Sequence, residues 1–105
     1  MEEKAIELKA EVLKAMAQPT RLKILECLRE GEKCICEIVP VINGEQSNIS
    51  RHISLMQKSH LVNTRKDGVK VMVKVSDPKI FNILDQVSAI LKSQMSEHRR
   101  LIRSL

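Results

Sequence analysis

Around Leu61 the spacing of apolar residues in this chain changes from a helical period to strict alternation. Upstream they recur three and four apart, as on one face of a helix; downstream Val69, Val71, Val73 and Val75 alternate with Lys70, Met72 and Lys74. Val62 and Thr64 form a first short alternating run, and Asp67-Gly68 separates the two. That dipeptide is a strong hairpin signal, because a tight two-residue turn of the favoured type needs positive φ at both positions. After Asp77-Pro78 the helical period returns. A helical body interrupted once, late in the chain, by a single β-hairpin is the arrangement this pattern specifies.

The helical body divides at its turn residues. Ile6, Leu8, Val12, Leu13 and Met16 set out a first amphipathic helix over about residues 3–16, ended by Gln18-Pro19-Thr20. Pro19 suits the first turn of a second helix, whose apolar face is Leu22, Ile24, Leu25 and Leu28, up to Gly31. A third, short helix covers about residues 35–42, with a kink or early stop expected at Pro40. Asn43-Gly44 reads as a turn, Ser47 as the N-cap of a fourth helix running to about residue 59, and Ile49, Ile53 and Met56 as its buried face. Asp77-Pro78 caps and opens the last helix, with Ile80, Ile83, Leu84, Val87, Ile90 and Leu91 on one stripe. Phe81 is the one aromatic residue, so the core must be aliphatic, and 105 residues leave room for one domain over 1–105. No apolar run approaches the roughly 20 residues that span a bilayer, and the first residues lack the apolar core of a secretory signal. A cytoplasmic location is expected.

Charge is concentrated in the middle. Residues 46–74 carry Arg51, Lys58, Arg65, Lys66, Lys70 and Lys74 against Asp67 alone, a net of +5, while the remaining positive and negative residues cancel. A basic middle in an otherwise neutral chain points to a polyanion partner, with a solvated surface as the plainer alternative. Two helices joined by a short turn, the second polar at its N-terminal end and followed by a basic hairpin, form the winged helix-turn-helix arrangement. The fold class expected is therefore mostly α with a β-hairpin wing: helices one to four, the hairpin, helix five. The apolar stripe of the last helix exceeds what so small a domain can bury alone, and an isologous homodimer contact would cover it.

Three stretches carry a specific resemblance: Ala17-Gln18-Pro19-Thr20-Arg21-Leu22-Lys23-Ile24-Leu25, then Cys34-Ile35-Cys36-Glu37-Ile38, then Gln46-Ser47-Asn48-Ile49-Ser50-Arg51-His52-Ile53. Together with Arg65-Lys66-Asp67-Gly68 they make the chain resemble the ArsR/SmtB family of metal-sensing repressors. The resemblance implies a homodimer, closed by the first and last helices, on operator DNA with two-fold symmetry. On the fourth helix Gln46, Ser47, Asn48, Ser50, Arg51 and His52 crowd the N-terminal end, where side chains and backbone N–H groups can meet phosphates or base edges. Gln46 suits a bidentate contact to adenine, and Arg51 a base or phosphate. Ser47 can cap the helix or bind phosphate, and His52 can equally be a satisfied, partly buried residue. Arg65, Lys66 and Lys70 in the hairpin suit the phosphate backbone.

Three cysteines, Cys27, Cys34 and Cys36, do not make a disulfide framework in a cytosolic chain, and point to thiol chemistry instead. In a regular helix residues two apart point about 200° away from each other, so Cys34 and Cys36 share one ion only where the backbone is irregular, and binding should distort it. Their Cys-x-Cys resembles the place where thiol-based family members hold arsenite, antimonite or a heavy divalent metal such as cadmium, lead or zinc. Val39 stands where arsenite-specific members have a third cysteine. Cys27 is the remaining thiol and a candidate third ligand, although its spacing beside Ile24 and Leu28 also suits a small core residue. A second family site, on the last helix, retains Asp85 and His98 but has Val87 and Leu101 at its other two ligand places, too few for closed zinc coordination. Two alternatives stand beside the metal-released repressor: a dithiol redox switch, and a metal-carrying or protein-interaction module that no longer binds DNA. An enzyme is not expected, for want of a glycine-rich phosphate loop or a supported nucleophile-base pattern.

Overall fold

A computed structural model describes residues 2–105. Helix α1 spans Glu3–Met16, α2 Pro19–Cys27, α3 Ile35–Val41, α4 Gln46–Lys58 and α5 Lys79–Arg103; strands β1, β2 and β3 are Lys33–Cys34, Val62–Asp67 and Lys70–Val75. The Gln18 side chain caps α2 by accepting the Arg21 N–H, with Pro19 in the first turn where no donor is lost. Past Cys27 the helix tightens into one 3₁₀ turn and stops at Gly31, whose φ of 121° suits glycine alone. Ile24, Leu25 and Leu28 are buried as expected, whereas Leu22 stays over a third exposed.

Helix α3 ends one residue after Pro40, the early stop expected of a ring that cannot donate. Asn43 then takes a positive φ of 51°, and the Gly44 N–H returns to the Val39 carbonyl. Gly44 is needed for closeness, because a Cβ there would lie 2.6 Å from Ile49 Cδ1. Helix α4 buries Ile49, Ile53 and Met56 as its period requires, but it starts at Gln46 with Glu45 as N-cap. Ser47 therefore does not cap it; its hydroxyl donates to the Glu45 carboxylate instead.

Two expectations about the hairpin change. Asp67 pairs with Lys70, so the two-residue turn is Gly68-Val69 and not Asp67-Gly68. Only Gly68 has positive φ, 63°, the demand of a turn with glycine at its first central position, and Val69 is left fully exposed at the tip. The sheet also has a third strand that alternation could not show. Two-residue β1 pairs antiparallel with β3, Lys33 opposite Val73 and Cys34 opposite Met72, giving the order β1-β3-β2.

The core gathers Ile24, Leu25, Leu28, Ile38, Ile49, Met56, Val62 and Val73, all essentially inaccessible, with Ile80 and Leu84 from the start of α5. Each such side chain contributes roughly 1.5–3 kcal/mol on burial. The outer helices are different. Only Ala15 and Met16 of α1 are buried, and along α5 the predicted stripe emerges from the core after Leu84, leaving Val87, Ile90, Leu91, Met95, Leu101 and Ile102 half exposed or more.

Candidate DNA interface and thiol pair

The N-terminal end of α4 presents the polar residues that the sequence singles out. Gln46, Ser47 and Arg51 are exposed, and Asn48 and Ser50 half-buried. Glu45, Ser47, Asn48 and Arg51 line a shallow surface depression, in which Asn48 Oδ1 accepts from Arg51 Nη2 at 2.7 Å. His52 departs from this set. It is 5% exposed, and its Nδ1 accepts from Arg21 Nε at 3.1 Å while Arg21 Nη1 donates to the Ala15 carbonyl. The imidazole thus faces inward, away from any approaching duplex, and joins α4 to α2 and to the end of α1. Burial lowers its pKa, and the Arg51 and Arg21 cations lower it further. Arg21 stood in the family-like sequence without a role; only its spatial meeting with His52, 31 residues on, reveals one.

The wing exposes Arg65, Lys66 and Lys70 together, with Lys74 further along β3. Lys66 and Lys70 bracket the turn, and Arg65 is held by the Glu32 carboxylate at 3.0 and 2.6 Å. α4 and the wing are contiguous in chain and in space: β2 follows α4 after Leu61, and Thr64 Oγ1 donates to Gln57 Oε1.

The cysteines occupy three distinct settings. Cys34 is 2% exposed and Cys36 exposed, yet their sulfurs are joined in a disulfide, with Cα atoms 5.0 Å apart. Cys34 escapes the helical geometry because it is the N-cap of α3, extended at φ −69° and ψ 145°. The irregular backbone that a shared ligand needs therefore already exists, and no distortion of a regular helix is required. Cys34 Sγ accepts the Cys36 N–H, and Glu37 accepts the Cys34 N–H, a capping box with sulfur in the place of oxygen. A bridge across one intervening residue restricts the unfolded chain too little to act as a staple. Cys27 sits half-buried at the edge of the core, and burial raises its thiol pKa. Among the described residues no group of three His, Cys, Asp or Glu side chains is placed to hold a metal, so Cys27 does not complete a site with the pair here.

On α5, Asp85 pairs with Arg29 Nη2 at 2.8 Å, and the Arg29 guanidinium lies 5.3 Å from the centre of the Phe81 ring. Asp85 thereby ties α5 to the end of α2, and His98 is exposed near the far end of the helix.

Comparison with known proteins decides the family. Residues 18–64, from the start of α2 into β2, match the model described as bacterial regulatory protein, arsR family. An uncharacterized HTH-type transcriptional regulator of Methanocaldococcus jannaschii is 34% identical over 82 residues, covering 77% of this chain and 92% of that protein. The chain belongs to the arsR family. Its members are transcription regulators and not enzymes. The arsenical resistance operon repressor of Staphylococcus xylosus is 35% identical over 65 residues, covering 62% of each chain. The crystal structure of Rv0081 from Mycobacterium tuberculosis superposes with a TM-score of 0.81 at 28% identity, covering 92% of this chain and 98% of that one. The fold is the winged helix-turn-helix. Among the described residues no helix is long and apolar enough to cross a membrane.

Proposed function

We propose that this arsR-family regulator is a homodimeric repressor on operator DNA of two-fold symmetry, released when a soft metal or metalloid binds Cys34 and Cys36. The observation that carries this reading is the meeting of the two sulfurs at the start of α3, the helix packed directly against α4. Helix α4 enters the major groove with Gln46, Ser47, Asn48, Ser50 and Arg51 at the base edges and nearest phosphates, while Arg65, Lys66 and Lys70 grip the backbone beside it. The homodimer rests on the apolar faces that α1 and α5 leave uncovered in one chain.

The donor set fits a thiophilic ion. Two adjacent sulfurs, one buried and one open to solvent, suit arsenite, antimonite, cadmium, lead or zinc once reduced. Two thiolates do not satisfy a three-coordinate ion, so a third donor comes from the second subunit or from a solute thiol. Movement of the α3 start passes to α4 through their shared contacts, lowering DNA affinity without any contact between ion and DNA. Titration of the reduced protein with cadmium should produce a thiolate-to-metal absorption band that Cys34→Ser removes; a band of full height in that variant would refute the site.

The joined sulfurs favour a second reading, a dithiol switch. Two thiols lose two protons and two electrons to a peroxide, which is reduced to water as the S–S bond forms. Loss of DNA binding with peroxide in a chelator, restored by a dithiol reductant, would select this reading over the metal.

A further inference from the structure

Arg65 is the cation whose setting the proposed DNA interface does not explain. Among the described residues of the basic stretch 46–74, it is the one paired with a carboxylate from outside that stretch. Glu32 takes both its Nε and its Nη2, the same fork that a phosphate would use, and holds it from 33 positions away. Both groups remain partly exposed, so a phosphate can reach the pair and compete for it. Glu32 lies next to the sensing thiols as well. It precedes β1 directly, and Cys34, Met72 and Arg65 form one row across the three strands.

We propose that Glu32 is an internal competitor for Arg65, and that chemistry at Cys34 and Cys36 changes DNA affinity by setting how firmly Glu32 holds it. This rests on the reading of the thiol pair as the inducer site. The segment carrying Glu32 is lightly fixed: β1 has only two paired positions, and the Cys34 N–H is taken by Glu37. A bond made at Cys34 Sγ therefore displaces backbone that the sheet does little to restrain, two residues from the Glu32 carboxylate. In the structure the joined sulfurs and the closed Glu32–Arg65 fork occur together. The closed thiol pair thus corresponds to a withheld wing arginine and weak DNA binding; separated thiols correspond to an arginine released to phosphate.

The test is a binding titration of the full chain with the Cys34 and Cys36 sulfurs joined, on a duplex from its own upstream region, with wild type, Glu32→Gln, Arg65→Gln and the double variant. Glu32→Gln should bind about two- to five-fold tighter, the scale of an exposed ion pair, and its salt dependence should steepen by about one phosphate contact. Both gains should vanish in the Arg65→Gln background. Persistence of the gain there would make Glu32 a general negative charge and overturn the competitor role. In the reduced chain, added arsenite should weaken the wild type, whereas Glu32→Gln should keep the thiolate absorption band but lose most of the weakening. Full weakening in that variant overturns the coupling. A wild type with neither band nor weakening refutes the inducer reading and the coupling with it, while the four-variant cycle still decides whether Glu32 competes for Arg65.

Discussion

His52 shows how one side chain can sit on a helix whose N-terminal end is polar and exposed and still serve the inside of the protein. Its neighbours Arg51 and Ser50 turn toward solvent to different degrees, but the imidazole packs inward and receives a hydrogen bond from Arg21. Protonation would add a cation beside that guanidinium and remove the acceptor. Because the fold depresses this pKa below its ordinary value near 6.5, the native state binds fewer protons than the unfolded chain in that range. The stability contributed by neutral His52 is complete above about pH 6.5 and is lost as pH falls through that value toward the native pKa. Thermal melts between about pH 7.5 and 5.5 should show wild-type stability falling, and His52→Gln, which keeps an acceptor and cannot titrate, should flatten the decline. At this scale sequence reading has a clear boundary. It placed Arg51 and the wing cations on the surface correctly, because charge alone argues for exposure, but nothing local reveals the Arg21–His52 bond, the Ser47–Glu45 bond or the Glu32–Arg65 fork. Each joins groups whose meeting depends on packing or on where a helix starts.

Elements were legible where the period is long and the turn chemistry strong. α4 and α5 follow the apolar spacing closely, and the burial of Ile49, Ile53 and Met56 is what that spacing requires. β1 was not legible, since two residues cannot display a period and their pairing is supplied by β3, nearly 40 positions on. The hairpin was recognised with its turn one residue early, because Gly68 serves equally as the first or the second turn residue until Lys70 is seen to pair with Asp67. The α3–α4 turn offers a sharp check on element packing. Gly44→Ala would drive a methyl into Ile49, a fully buried core residue, and should cost about 1–3 kcal/mol in denaturant unfolding. Trimming the obstructing side chain in Gly44→Ala/Ile49→Val should recover part of that loss. Gly68→Ala meets open space but keeps the positive φ, so it should cost about 1 kcal/mol and leave the core unchanged.

The whole molecule leaves an apolar surface that one chain cannot cover. Leu91 and Met95 on α5 and Leu8 and Leu13 on α1 are half exposed or more. The sequence anticipated this excess, since α5 carries more apolar residues than so small a core can receive. Leu91→Glu should therefore fold normally, halve the mass measured by sedimentation and lose most DNA affinity, because two half-sites can no longer be engaged together. A dimer unaffected by this change would place the contact elsewhere. Overall architecture was readable because periodicity, turn residues and charge all agree, whereas the state of the thiols depends on an N-cap geometry that no spacing specifies. Control of DNA binding by chemistry at this pair is tested by the affinity of the reduced protein for its own upstream DNA, with and without one equivalent of arsenite or cadmium, in wild type and Cys34→Ser. Binding should weaken on loading in the wild type and not respond in Cys34→Ser; equal affinities with and without the ion in the wild type would contradict control by the thiol pair.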